Sequence, residues 1–328
     1  MIVTLQILIP QYQETDGIIR PLLDSIEIQQ NVDLKNDVGV IIVNDGSDVF
    51  LSDEFLSRYS FDIQYIKKEH GGVSAARNAT LDAATADYVM FCDADDMFCN
   101  ACGLWVIFRE IKNGGFDSFV SCFVEETRHP ETREVLYINH EVDSTFVHGK
   151  VHRRQYLLDN GIRWNDALTI HEDSYFNILC QQLSDNVKYC PTPFYLWRWR
   201  DESVCRHDPK YILKTYGNML DSNTALVRQF LERDRKELAE THVTMMIYDA
   251  YFTMNKDEWI NQENREYRDA TERRFRDYYM EFRSVFDGVS KERRIAIVAG
   301  LRQRMYGEGL LTETETFDHW IRHIEEDM

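Results

Sequence analysis

The sequence predicts an α/β protein, a mostly parallel sheet flanked by helices, with a helical appendage at its C-terminal end. Three observations carry this prediction. Apolar runs of strand length alternate with helix-period patterns through the first part of the chain. Acidic and glycine-rich clusters stand directly after those runs, where ligands collect beyond the carboxyl ends of parallel strands. From residue 208 onward the patterning is helical and almost free of proline.

The strand-like runs are VTLQILI (3–9), VGVIIV (38–43), FDIQYI (61–66) and DYVMFC (87–92). Runs this apolar are buried on both faces, as in a parallel sheet covered by helices. Between them, Ile18, Ile19, Leu22, Leu23 and Ile26 repeat at helical spacing, as do Val73, Ala76, Ala79, Ala83 and Ala84. A further helix is expected at about 99–113. Later strand candidates are FDSFVSCFV (116–124), VLYINHEV (135–142) and PFYLWRW (193–199), with a helical pattern at 172–183 among them. These patterns divide the chain into a catalytic-type domain, 1–207, and a helical region, 208–328. Aromatic residues of that region (Trp259, Tyr267, Tyr278, Tyr279, Phe282) are expected to lie exposed, and to dock a partner, join copies of the chain or cover the first domain. Its arginines between 265 and 306 alternate with acids and read as a solvated, ion-paired helix face.

Composition narrows the function. The 328 residues are 44% apolar and 28% charged, as in a globular protein. No run approaches the roughly 18 apolar residues of a membrane helix. The opening MIVTLQILIP lacks a basic start and reads as a strand, so a cytoplasmic location is expected. The net charge of −19 disfavours a broad nucleic-acid surface, although a local patch stays open. Seven scattered cysteines do not form a disulfide framework, and Cys99–Cys102 has no second pair at zinc spacing.

The chemistry concentrates in YVMFCDADDMF. Asp93, Asp95 and Asp96 repel one another unless a positive group sits among them. There is no glycine turn or twelfth-position Glu for a calcium loop, and no Gly-rich dinucleotide or triphosphate motif. Two carboxylates at a strand tip can hold a divalent cation that bridges to a diphosphate; the bland alternative is an acidic turn capping the next helix. VNDGSD leaves Asp45 at another strand tip, where it could accept a base N–H. GGVSAARNAT places two glycines before a helix, a start that suits phosphate, with Arg77 on its second turn.

Taken in order, ILIPQYQE, VIIVNDGSD, HGGVSAARNAT, YVMFCDADD, HGKVHRRQYL and HEDSYF resemble the family-2 glycosyltransferases of the GT-A fold, over about residues 3–205. The resemblance implies a nucleotide-sugar donor, most often a UDP-sugar, and a hydroxyl acceptor on a glycan or polymer. It implies that Pro10, Tyr12 and Glu14 line the nucleotide pocket, Asp45 contacts the base, and Arg77 lies near base or diphosphate. Asp93 would hold the ribose or the metal's water shell, Asp95 would bind Mn²⁺ or Mg²⁺ directly, and Asp96 would support them. Asp173 would be the general base of an inverting transfer, with Glu172 orienting and His171 as the alternative base. Arg198, Arg200 and Arg206 could face diphosphate or an anionic acceptor, and His207 could be a further metal ligand. His148 and Lys150 stand where relatives approach donor sugar or acceptor. Gln13 and His70 depart from the family pattern, which has Asn at both positions. Two other classes compete. A nucleotidyltransferase would carry a glycine-rich basic loop after the first strand, which IPQYQETDG is not. A non-catalytic binding module would have lost Asp95 or Asp173, and both are present.

Overall fold

The computed structural model describes residues 3–201, 208, 210–307 and 317–326. The chain falls into two compact units, Met1–Ser203 and Val204–Met328.

The first unit runs β1 (Leu5–Gln11), α1 (Asp16–Glu27), α2 (Leu34–Asp37), β2 (Val38–Asp45), α3 (Asp53–Leu56), β3 (Asp62–Lys68), α4 (Val73–Ala83) and β4 (Tyr88–Phe91). It continues through β5 (Met97–Phe98), α5 (Gly103–Lys112), β6 (Ser118–Arg128), β7 (Val135–His140), β8 (Lys150–Arg153), α6 (Arg154–Asp159), α7 (Glu172–Gln182) and β9 (Val187–Trp197). The strands form one sheet in the order β3-β2-β1-β4-β8-β6-β9-β5, with β7 added to β6. β3, β2, β1 and β4 are mutually parallel, so their carboxyl ends share one edge. β8 enters antiparallel to both β4 and β6, and β6 pairs in parallel with β9 across an irregularity between Ser121 and Phe123.

Every residue of β2 is buried, which is why its sequence shows no polar alternation. Ile7, Ile9, Val40, Ile42 and Met90 share one core with Ile19, Leu22, Leu23 and Ile26 of α1. Burying such side chains contributes about 1.5–3 kcal/mol each.

Several boundaries differ from those read in the sequence. β5 and β8 were too short to show a period. β5 pairs with β9, so the following helix starts at Gly103 rather than near 99. Its N-cap is Cys102, with no side-chain cap, so the acidic cluster does not serve as that helix's cap. β7 pairs with β6 but leaves Val135, Leu136, Tyr137 and Ile138 exposed.

The second unit holds α8 (Tyr211–Glu232), α9 (Lys236–Met254), α10 (Asp257–Ile260), a 3-10 turn (Gln262–Asn264), α11 (Arg265–Asp287), α12 (Lys291–Gly307) and α13 (Phe317–Glu326). The expectation of exposed aromatics is corrected here. Trp259, Tyr278, Tyr279 and Phe282 are buried, and they pack on Tyr216, Phe275 and Phe286 of the same unit. Phe275, Tyr278, Tyr279, Phe282 and Phe286 follow a helical stripe, which builds a core rather than a docking face. The arginines behave as the charge pattern predicts: Arg276 pairs with Glu272, Arg274 with Asp221, and Arg293 with Glu240.

Gly46, directly after β2, fixes one wall of the site. Its φ is +72°, and a Cβ there would stand 2.5 Å from the His70 backbone nitrogen. Gly46→Ala is therefore expected to destabilise the first unit by at least about 1–2 kcal/mol, since it adds left-handed strain and a backbone overlap. Equilibrium urea unfolding measures this; an unchanged midpoint would show that the 46–70 contact is not tight.

Candidate active site

The parallel strands deliver their last residues to one edge, and the following loops fold over it. After β1, the Gln11 side-chain amide donates to the carbonyls of Glu14 and Val49, and the Tyr12 amide donates to Glu14 Oε2 at 2.6 Å. Gln13 adopts φ 72° and its amide donates to Ser47 Oγ, which ties this loop to the one after β2. Tyr12 is half exposed and lies 4.8 Å from the His70 ring, tilted by 33°.

Asp45 ends β2 and is buried. Its carboxylate accepts from the amides of Gly71 (3.0 Å) and Gly72 (2.8 Å) and from Lys68 Nζ (2.5 Å), and His70 Nδ1 lies 2.9 Å away. This corrects one expectation: the amides of the double glycine, read as a phosphate cradle, are taken by Asp45. The carboxylate holds the entrance to α4 in place and neutralises the lysine at the end of β3.

Arg77 projects from α4 and is buried. Nη2 donates to Asp93 Oδ1 at 2.8 Å, and Nη1 donates to Glu172 Oε1 at 3.0 Å. The guanidinium lies over the Trp164 ring, 4.4 Å from its centroid. Burial works against its charge, but Asp93 and Glu172 raise its pKa and keep it a cation. Burial pushes the Asp93 carboxyl up; the Arg77 guanidinium outweighs it and holds Asp93 below the usual range.

The two carboxylates that follow are treated differently. Asp95 Oδ2 accepts from Arg200 Nη1 at 3.0 Å, and Arg200 reaches Glu14 at 3.6 Å. Burial and then the Asp93 charge raise the Asp95 pKa, with Arg200 opposing. Asp96 is fully buried and accepts from Tyr195 Oη (2.7 Å) and the Arg198 amide (2.9 Å). Arg198 Nη1 donates to the Asp95 carbonyl at 3.1 Å. Burial, then Asp95 and Asp93, push Asp96 well above the carboxylate range. Arg77 and Arg200 are thus the protein's own positive groups within the acidic cluster.

Across the cleft, His171 takes a left-handed backbone (φ 63°) and turns the chain into α7. Glu172 and Asp173 form the first turn of that helix. Burial, then the Glu172 charge, lift the Asp173 carboxyl to about 7. The Ser174 amide donates to Asp173 Oδ1 at 2.9 Å.

These elements enclose a cavity of about 340 Å³ lined by Pro10, Tyr12, Glu14, Asp45, His70, Arg77, Asp93 and Asp95. Seven residues expected on the donor side from the sequence are thereby brought together. Asp96 lies behind the cavity, against Tyr195. Glu172 is joined to it through Arg77. Lys150 does not line it: the ammonium is buried, donates to the Phe146 carbonyl and stands 3.6 Å from Asp143, and burial lowers its pKa to about 8. Its place is under the 143–146 loop rather than on the cleft surface. Arg206 and His207 lie outside the described residues.

Sequence reasoning missed Lys68, Tyr195 and Trp164 and underrated His148. His148 sits in an aromatic box, 5.0 Å from Tyr195, 5.2 Å from Trp197 and 5.5 Å from Phe146 between ring centroids. Burial holds it neutral, with a pKa of about 3. Its Nδ1 has no hydrogen-bond partner and lies 3.7 Å from Asp96 Oδ2. Aromatic residues at alternate positions of β9 were the available signal.

The donor set fits a hard divalent cation. Asp93 and Asp95 are each about one-third exposed, 31% and 30%, and present oxygen ligands to the cavity. A second set shares Asp93: ligand atoms of Asp93, Asp96 and His148 lie within 4.8 Å of one another. His148, whose Nδ1 lacks a hydrogen-bond partner, is the nitrogen donor of that set.

A parallel half-sheet with an acidic strand-tip cavity and an acid pair across the cleft defines a GT-A-type site. Residues 6–160, just under half of the chain, match the family model for glycosyl transferase family 2. Among curated relatives, glycosyltransferase GlyA of Streptococcus pneumoniae is 27% identical over 265 residues, 69% of this chain and 37% of the relative. Glycosyltransferase EpsJ of Bacillus subtilis is 25% identical over 225 residues, 62% of this chain and 63% of the relative. The chain thus spans less than two-thirds of either relative. Residues 1–349 of Staphylococcus aureus TarS, solved with UDP-GlcNAc, share the fold at a TM-score of 0.64 and 16% identity, over 94% of this chain and 92% of TarS 1–349. Among the described residues, no helix is long and apolar enough to cross a membrane.

Arg77→Met would leave Asp93 and Glu172 facing each other without their shared cation. The expected cost is about 3 kcal/mol, the lower end for a broken buried pair because Asp93 is partly solvated. Urea unfolding tests it, and a loss under about 1 kcal/mol would mean that the bridge is dispensable.

Proposed function

We propose that this chain is a metal-dependent, inverting glycosyltransferase that moves a sugar from a UDP-sugar to a hydroxyl of a glycan or polymer. The observation that carries the reading is the Arg77 bridge. It ties Asp93, at the strand-tip cavity, to Glu172, and so fixes the Glu172–Asp173 pair beside that cavity. TarS binds UDP and UDP-GlcNAc in its solved complexes, and the shared fold makes a UDP-sugar the donor class we assign.

In this reading Pro10, Tyr12, His70 and Asp45 receive the nucleotide base, with Tyr12 and His70 offering ring faces. Base contact at Asp45 would replace one of the donors that now surround it. Asp95 and Asp93 would hold Mn²⁺ or Mg²⁺, which supplies charge neutralisation for the departing nucleoside diphosphate. Arg200, paired with Asp95, stands next to the same group. Asp173 takes the proton of the acceptor hydroxyl as that oxygen bonds the anomeric carbon. The bond from that carbon to the diphosphate oxygen breaks, and its electron pair leaves with UDP. A single in-line displacement inverts the anomeric configuration.

Two substitutions separate the roles. Asp95→Ala is expected to abolish the metal-dependent part of UDP binding. Asp173→Asn is expected to leave UDP binding intact and slow transfer by on the order of 10²–10⁴-fold. Nucleoside-diphosphate release from a panel of nucleotide sugars, with Mn²⁺ and with EDTA, reads both. Wild-type transfer by Asp173→Asn would overturn the base assignment.

The pH profile gives an independent check. The base works only deprotonated, so kcat should fall as pH drops through about 7. The Glu172 charge helps raise that pKa, so Glu172→Gln should move the acid limb to lower pH. A limb that stays in place would assign it to another group.

A further inference from the structure

A second cavity, of about 400 Å³, lies between the 31–33 loop and helix α5. Asp37, one of its lining residues, immediately precedes β2, which places the cavity at the amino ends of the parallel strands, opposite the donor cavity. Trp105 of α5 stands in it, 39% exposed, whereas Trp164, Trp259 and Trp320 are buried. Arg109, one turn along, lies over the Trp105 ring at 5.2 Å from the centroid, and Glu110 anchors it at 2.9 Å. Arg109 thus covers one indole face, and the 39% exposure of Trp105 leaves ring surface open to a ligand. Phe108, buried, adds an apolar floor.

The polar lining is balanced in charge: Asp33 and Asp37 stand against Arg109 and Lys112. A phosphate would meet the two carboxylates, and a cationic ligand would meet the two bases. Asn31 and Asn113 add amides that both donate and accept. The side chains of Asn31, Lys112 and Asn113 make no hydrogen bond to any described residue, whereas both Asp33 oxygens already accept from Asn36, one from its backbone amide and one from its side-chain amide. Mixed donors and acceptors without net charge, around a flat apolar platform, match a neutral polyhydroxylated ring. Its hydroxyls both donate and accept, and its C–H face is apolar.

We propose that this cavity binds a neutral glycan segment, with one pyranose ring on Trp105 and its hydroxyls met by Asn31, Asp33, Lys112 and Asn113. This deepens the transferase reading and rests on it in one respect: the segment belongs to a polymeric acceptor held remote from Asp173. The glycan site itself does not require transfer.

The test is binding of neutral oligosaccharides to the full chain by saturation-transfer NMR and calorimetry, with UDP present to occupy the donor cavity. The probes are cellopentaose, maltopentaose and N-acetylchitopentaose. At least one should bind, with affinity lowered about tenfold by Trp105→Ala, as expected for a lost stacking platform. Trp105→Tyr should retain most of that affinity. Circular-dichroism melting of each variant checks that the fold is intact. Absence of binding by the wild-type chain, or binding indifferent to Trp105→Ala, would overturn the proposal. Glycan binding at Trp105 without sugar transfer from any donor would sink the transferase reading and leave this site standing.

Discussion

The candidate active site depends on one buried guanidinium. Arg77 binds Asp93, 16 residues on, and Glu172, 95 residues on, while lying over Trp164. Helix α4, the tip of β4 and the start of α7 are thereby fixed to a common point. The fork geometry of arginine allows this: two nitrogens address two carboxylates in one plane, and the flat face stacks on an indole. A lysine could neutralise one of these acids but could not set their separation.

The same cation sorts the surrounding acids by protonation. Asp93, in direct contact, stays below the ordinary carboxylate range. Asp96 is pushed upward by burial and then by its acidic neighbours, and Asp173 by burial and then Glu172. The two raised groups differ in surroundings. Asp96 is sealed behind Tyr195, where its oxygens are engaged in positioning the Arg198 backbone. Asp173 opens the first turn of α7 and is only half-buried. A carboxyl of raised pKa at a cleft edge is suited to exchange a proton near neutrality, while one sealed in the core holds loops together.

Much of this was legible in the sequence because the parallel half of the sheet is regular. Buried strands show as unbroken apolar runs, and their tips carry the acids, so Asp45, Asp93 and Asp95 could be placed without coordinates. What was not legible depends on distance or brevity. β5 and β8, of two and four residues, are too short to show a period, yet β8 joins the parallel half to the rest of the sheet. The partner of Asp45 was misread because a helix start preceded by glycines suits any anion, and a carboxylate of the protein's own arrived first. The Tyr195–Asp96 contact spans 99 residues. The box around His148 is assembled from Phe123 of β6, Tyr195 and Trp197 of β9 and Phe146 of the loop before β8, and only the alternate aromatic residues of β9 announce part of it locally.

The two departures from the pattern that the resemblance implies both bear on the loops around the tip of β2. Gln13 stands at φ 72°, a conformation that Asn tolerates better than Gln because its short side chain bonds locally. The cost of that strain is offset by the hydrogen bond from its amide to Ser47, which locks the loops after β1 and β2 together. His70, where Asn is usual, does what an amide cannot. Its ring meets Tyr12 while Nδ1 contacts the Asp45 carboxylate, so aromatic surface is anchored to the strand tip. This end of the cavity is thereby more aromatic than an asparagine there would make it. Under the proposed function, substitution at these two positions acts on recognition of the base and leaves the metal-holding role proposed for Asp95 and the proton transfer proposed for Asp173 unaffected.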